Sequence, residues 1–243
     1  MNDGAPRRRR RVVWIAGIVV VVLAVGAVVV LVTRDDGDGT DRAATTTTRT
    51  QPLPATTIPG APSTAVWPPA SSTVVYHDPV AAAKGFAVDY VGFTDPVVGE
   101  FRAGDSRSGE VSVRPDATGP ETIVLVRQLG TAGTWSVLGS QTANLLPSVP
   151  VALASISSPV TLRGTSTAFE ATVNVEIRED GNSQPLAKTT FMGGSNGQMG
   201  PYEATIAYAP PHATSGAVVL FTISPKDGHI AEATVVRVRF AAP

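Results

Sequence analysis

The chain has 243 residues, a formal net charge of −1, 43% hydrophobic and 16% charged residues, and no cysteine. That composition excludes a wholly disordered chain, a long coiled coil, a disulfide scaffold, a thiol nucleophile and any Cys-ligated zinc or iron–sulfur site. Its 20 prolines and 23 glycines speak against a mostly helical protein, and the charge balance hides a split. Without Arg7–Arg11 and Asp3, 14 basic residues face 19 acidic ones, a mildly acidic body unsuited to nucleic acid, which needs a basic face.

Val12–Val32 is a run of 21 residues with no charged or strongly polar side chain, 11 of them valine. At about 1.5 Å per residue, a helix of this length spans roughly 30 Å, the thickness of a hydrocarbon core. Valine is a poor helix former in water, but in lipid the backbone must satisfy its own hydrogen bonds. Trp14 stands where an interfacial aromatic sits. Arg7–Arg11 precede the span and Asp35, Asp36, Asp38 and Asp41 follow it, so the positive-inside rule keeps the N-terminus in the cytoplasm. The run is longer than a signal-peptide core, and Leu31-Val32-Thr33-Arg34 is no small-residue cleavage site. Residues 1–11 are expected as a basic cytoplasmic tip and residues 12–32 as a transmembrane helix in the lipid bilayer.

From Thr33 to Thr73, 29 of 41 residues are Thr, Pro, Ala, Ser or Gly. Such a stretch buries too little apolar surface to offset its chain entropy. It is expected as a disordered, partly polyproline-like linker over 33–73, reaching on the order of 35 Å as a coil. Asp36–Asp41 imitates the opening of a calcium loop, but Asp41 and Thr47 stand where glycine and glutamate are needed.

Residues 74–148 read as a small α+β domain. Asp78-Pro79 is a helix start, an N-cap carboxylate followed by proline at the first helical position. Val80, Ala83, Phe86, Ala87, Tyr90 and Val91 recur at helical spacing, and Gly92 is the stop. Strands are predicted at Val97–Arg102, Glu110–Arg114, Thr122–Leu129 and Thr134–Ser140, separated by Gly-, Pro- and Asp-rich turns. This order resembles the cystatin-like and nuclear-transport-factor-like rolls. Trp135 and Tyr90 are expected in the core.

Residues 151–241 read as all-β. Phe169, Ala171, Val173, Val175 and Ile177 alternate with polar residues up to Arg178, which predicts a strand over Phe169–Arg178 with one buried and one wet face. Tyr202, Ala204, Ile206 and Tyr208 repeat the pattern, as do Val236, Val238 and Phe240. Val218–Ile223 is apolar on both faces, as in a central strand. Asp180-Gly181 and Asp227-Gly228 supply turns. The fold class is therefore mainly β: transmembrane helix, disordered linker, α+β domain, and a C-terminal immunoglobulin-like antiparallel β-sandwich.

Ile156-Ser157-Ser158-Pro159, Gly164, Phe169-Glu170-Ala171, Gly200-Pro201-Tyr202, Gly216 and Ser224-Pro225-Lys226-Asp227-Gly228 occur in an order that resembles the bacterial spore-germination immunoglobulin-like domain of the GerMN-associated type. Tyr202 stands where that pattern has phenylalanine, and Met199 where an aromatic is common. The resemblance implies an extracytoplasmic binding or scaffolding module with no catalytic residues to carry over.

His77, His212 and His229 are scattered and sit in turn-like contexts, and neither a nucleophile elbow nor a zinc-binding helix motif is present. Glu170, Glu176 and Glu203 fall on predicted outward strand faces, where charge is ordinary. No catalytic residue, metal ligand or cofactor is assigned. The glycine-rich segment between strands lacks lysine and is expected as a loop, and loops on rigid scaffolds carry contacts. Gly194, Ser195, Asn196, Gln198 and Met199 form the candidate contact loop. The function expected is a non-catalytic, membrane-anchored, extracytoplasmic binding or scaffolding protein of the bacterial cell envelope. Its partner would be another envelope protein or a cell-wall polymer. The alternative places a small-ligand, glycan-binding or weakly hydrolytic site in the α+β domain, with the sandwich as a targeting module.

Overall fold

The computed structural model describes residues 64–241. The tip at 1–11, the apolar run at 12–32 and most of the expected linker lie outside the described residues. Among the described residues no helix is long and apolar enough to cross a membrane. The last ten residues of the expected linker, 64–73, belong to the fold. Ala65 and Val66 are buried, Val66 N–H donates to the Val137 carbonyl at 2.8 Å, and Trp67 bridges to Val137. The low-complexity composition around them conceals two apolar residues, Val66 and Trp67, that join the core.

Asp78 caps helix α1 (Pro79–Gly85), its Oδ1 accepting from Ala81 N–H at 2.7 Å. The helix widens into a π turn over Phe86–Val91 and stops at Gly92. An antiparallel meander follows: β1 (Val97–Ala103), β2 (Ser108–Arg114), β3 (Thr122–Gln128) and β4 (Trp135–Thr142). The chain turns at Ala143-Asn144 into β5 (Leu145–Val149) and continues through β6 (Ser155–Ile156), β7 (Val160–Ala168), β8 (Thr172–Glu179) and β9 (Ala187–Met192). The last strands are β10 (Gly194–Ser195), β11 (Gly200–Ile206), β12 (Ser215–Ile223) and β13 (Ile230–Phe240).

One long sheet runs β1-β2-β3-β4-β13-β12-β8-β9, and β5, β7 and β11 form a shorter layer against its C-terminal part. The α+β region (74–148) and the sandwich (151–241), consecutive in sequence, thus share a sheet. Strands β12 and β13 are covered on both sides. Val218, Leu220 and Val238 pack with Val173, Val175, Leu162 and Tyr202 in the sandwich interior. Ala217, Val219, Phe221, Ala233 and Val235 pack with Phe86, Ala87 and Val91 under the helix. The apolar run Val218–Ile223 is accordingly a central strand. Trp135 is buried and Tyr90 packs against the same core, so the space beneath the helix is filled.

The seam between the halves is made largely by side chains. Backbone pairing of β4 with β13 is confined to Ser140 and Val235. Around it, Ser140 Oγ donates to the Ala233 carbonyl at 2.9 Å, Thr122 Oγ1 accepts from Ala233 N–H at 3.1 Å, and Thr234 Oγ1 donates to the Leu145 carbonyl at 2.8 Å. These hydroxyls are buried, and each bond is favourable chiefly because leaving its partner unmade is costly. Gly139 permits the approach, since a Cβ there would collide with the Val235 carbonyl.

Two sequence expectations are corrected. The strand predicted over Phe169–Arg178 begins only at Thr172, and Phe169–Ala171 form a tight turn with Glu170 (φ 52°) and Ala171 (φ 60°) in the left-handed region. The reason is topological: the chain leaves the short layer at Ala168 and must enter the long sheet at Thr172, so the corner overrides an unbroken period of two. Glu176 and Arg178, predicted on a wet face, lie beneath the helical half. Glu176 is buried, accepting from Arg178 Nε at 2.8 Å and paired with Lys188 Nζ at 3.0 Å.

Candidate functional site

Six connections meet at one end of the sandwich and enclose a cleft of about 590 Å³. They are the approach to β1 (Thr94), the β2–β3 turn (Pro115–Pro120), the β4–β5 turn (Asn144), the β7–β8 corner (Thr167–Phe169), the loop before β11 (Asn196, Gly197) and the β12–β13 turn (Ser224–His229). Both halves contribute, so the cleft exists only because the sheet joins them.

Its floor is Glu232, 4% exposed, on β13. Thr142 Oγ1 donates to its Oε2, Asn144 Nδ2 donates to Oε2 at 3.0 Å and to Oε1 at 3.2 Å, and Thr222 Oγ1 donates to Oε1 at 3.3 Å. All are neutral donors, and no ion pair to Glu232 occurs among the described residues. Burial pushes its pKa above the ordinary glutamate value, and the hydrogen bonds from Thr142, Asn144 and Thr222 offset only part of that rise. Among the lining residues, Thr167 is 8% exposed, and its buried hydroxyl has no hydrogen-bond partner among the described residues.

The walls are self-supporting turns. Asp227 Oδ1 accepts from His229 N–H at 3.1 Å, and that bond leads in holding the Asp227 pKa low. Asp116 Oδ1 accepts from Thr118 N–H at 2.8 Å and Thr118 Oγ1 at 3.0 Å, with the same consequence. Lys226 Nζ reaches Asp116 Oδ2 at 3.9 Å across the mouth, and His229 Nδ1 lies 3.4 Å from Thr94 Oγ1. At the rim, Phe169 is 58% exposed, held out by the left-handed corner that follows it.

Of the predicted contact loop, Asn196 lines the cleft, with left-handed φ of 54°. Gly194 and Ser195 are the two residues of β10 and pair in parallel with Thr167 and Ala168. Gln198 N–H closes the turn onto the Ser195 carbonyl at 2.8 Å, and Met199 is exposed beyond the lining. The histidines have separate surroundings: His229 is in the wall, the His212 backbone N–H donates to Glu179 at 2.6 Å, and His77 precedes the helix cap. Among the described residues no group of three His, Cys, Asp or Glu is placed to hold a metal ion. Glu232 escaped the sequence reading, although a signal existed. Val236 and Val238 define the inward phase of β13, and counting back by twos places Glu232 on that same face.

Residues 148–229, about a third of the chain, match the family model described as the immunoglobulin-like domain of bacterial spore germination. The sandwich is a spore-germination immunoglobulin-like domain. Comparison with curated proteins and with solved structures gave no match.

The residues that mark this germination-type domain have identifiable structural duties. Gly164 is paired with Tyr202, and a Cβ on it would lie 2.6 Å from the Tyr202 hydroxyl, so the glycine admits the ring. Ser158 Oγ accepts from Tyr208 N–H at 2.9 Å, fixing the entry to β7. Ser224–Gly228 forms the β12–β13 turn, closed by Gly228 N–H onto the Ser224 carbonyl at 2.9 Å, and so builds one wall of the cleft.

Proposed function

We propose that the chain is a non-catalytic binding protein of the bacterial cell envelope, anchored by residues 12–32 with its N-terminus in the cytoplasm and its folded part outside. The observation that supports it best is the cleft: an interlocked two-layer frame presents turns from both halves around one concavity. Its exposed carboxylates are engaged by their own turns, Asp116 with Thr118 and Asp227 with His229, an arrangement suited to holding a ligand. The apolar run after five arginines supplies the anchor and its orientation. The space under the helix is filled, which favours the sandwich end over the α+β half as the binding region. Carbonate extraction of source-cell membranes, followed by protease treatment of intact spheroplasts, tests the reading. The chain should stay in the pellet and lose its folded part to external protease. Full-length protein in the soluble fraction, or protection from the protease, would refute it.

A further inference from the structure

We propose that the cleft at the sandwich end is a saccharide site, taking a short stretch of neutral or amine-bearing sugar chain. This rests on the proposed function only for where the ligand is met. The charge in the lining decides against anions: Asp116, Asp227 and Glu232 face one lysine, Lys226. Phosphorylated, sulfated or uronic ligands would be repelled. A purely apolar ligand would strip water from the hydroxyl, amide and carboxylate groups of the lining without replacing its hydrogen bonds. A polyol brings both donors and acceptors. An extended peptide characteristically docks along a free strand edge, whereas this cleft is walled by turns.

The rim of the cleft carries an aromatic ring placed for such a ligand. Phe169 continues the alternation of its segment in sequence, yet two consecutive non-glycine residues in left-handed backbone, Glu170 and Ala171, hold its ring out at the rim. The face of an aromatic ring carries partial negative charge and attracts the weakly positive C–H groups of a sugar's apolar face. A volume of about 590 Å³ accommodates an oligosaccharide and falls within the ordinary range for ligand sites.

Isothermal titration calorimetry on the full chain in detergent tests this. The probes are trisaccharides of neutral hexose, of N-acetylhexosamine and of glucosamine, with a sulfated trisaccharide for comparison. Saturable binding of a neutral or amine-bearing trisaccharide is expected, with no binding of the sulfated one at the same concentration. Phe169→Ala should weaken binding at least fivefold and Phe169→Trp should retain it. Absence of binding by every trisaccharide, equal binding of the sulfated one, or affinity unchanged by Phe169→Ala overturns the assignment. None of these results bears on the anchor or its orientation, which the extraction and protease experiments address separately.

Discussion

Arg178 lies over the ring of Tyr90, its Cζ 5.0 Å from the ring centroid, and its Nη1 donates to the Tyr90 carbonyl oxygen. One residue is on β8 of the sandwich and the other in the helical segment, so this pair fastens the two halves at the opposite end of β8 and β12 from the cleft. Arg178 also holds the buried Glu176. Burial would raise that carboxyl, but Lys188 and Arg178 together keep it below the ordinary range.

Replacing Arg178 with methionine leaves a buried carboxylate with Lys188 alone and frees the Tyr90 carbonyl. A loss of about 2–4 kcal/mol is expected. Because the sheet is continuous, urea denaturation followed by tryptophan fluorescence and by far-ultraviolet dichroism should show one coincident transition in both proteins. Two resolved transitions in the wild type would contradict the shared core.

Glu179 is a third buried carboxylate, with the opposite balance to Glu232. Burial would raise it, yet the Asn182 side chain and the backbone N–H groups of Ala213 and His212 outweigh burial and hold its pKa down to about 2. A depressed carboxyl stabilises the fold above its ordinary range, and that contribution is lost as pH falls towards about 2. Glu179→Gln should therefore cost about 2 kcal/mol at neutral pH, allowing for solvent screening, and progressively less on acidification. A cost that does not vary with pH would show that the charge is not what matters.

For Glu232 the sign reverses. Its folded pKa is raised, so the unfolded chain ionises first and wild-type stability falls as pH rises through and above the ordinary glutamate range. Glu232→Gln is free of that penalty. The stability of the variant relative to wild type should climb with pH, measured as denaturation midpoints between pH 4 and pH 8. A constant difference across that series would rule out titration of this group.

Tyr202 carries a buried hydroxyl with no hydrogen-bond partner among the described residues, and burial pushes its pKa up to about 12. Tyr202→Phe removes the unpaired polar atom and keeps the ring over Gly164. It should raise stability by about 1 kcal/mol, read as a higher thermal midpoint. Destabilisation would mean that the hydroxyl finds a partner in solution.

The local elements were legible because each rests on a local cause. The Asp78 cap, the meander strands within two residues of their bounds, and the doubly apolar Val218–Ile223 all follow from patterns spanning a few neighbours. What escaped depends on distant parts of the chain. The face of β8 bearing Glu176 and Arg178 looks wet by alternation, and only the helix folded across it makes it dry. Phe169 continues a period of two and is turned out by a corner between layers. The cleft joins turns more than a hundred residues apart, from Thr94 to Glu232, and no window along the chain contains it.

The family match ends at residue 229, just before β13, the strand that lies between β4 and β12. The sandwich and its neighbour are thus fused through one sheet, joined at Ser140 and Val235 and by the side chains around them. Evolution could not exchange either portion like a bead on a string: any incoming sandwich would have to bring small or branched residues matching Ala217, Val219, Ala233 and Val235, or the helix would have nothing to rest on. Recombination breakpoints inside this lineage should therefore not fall between the two halves.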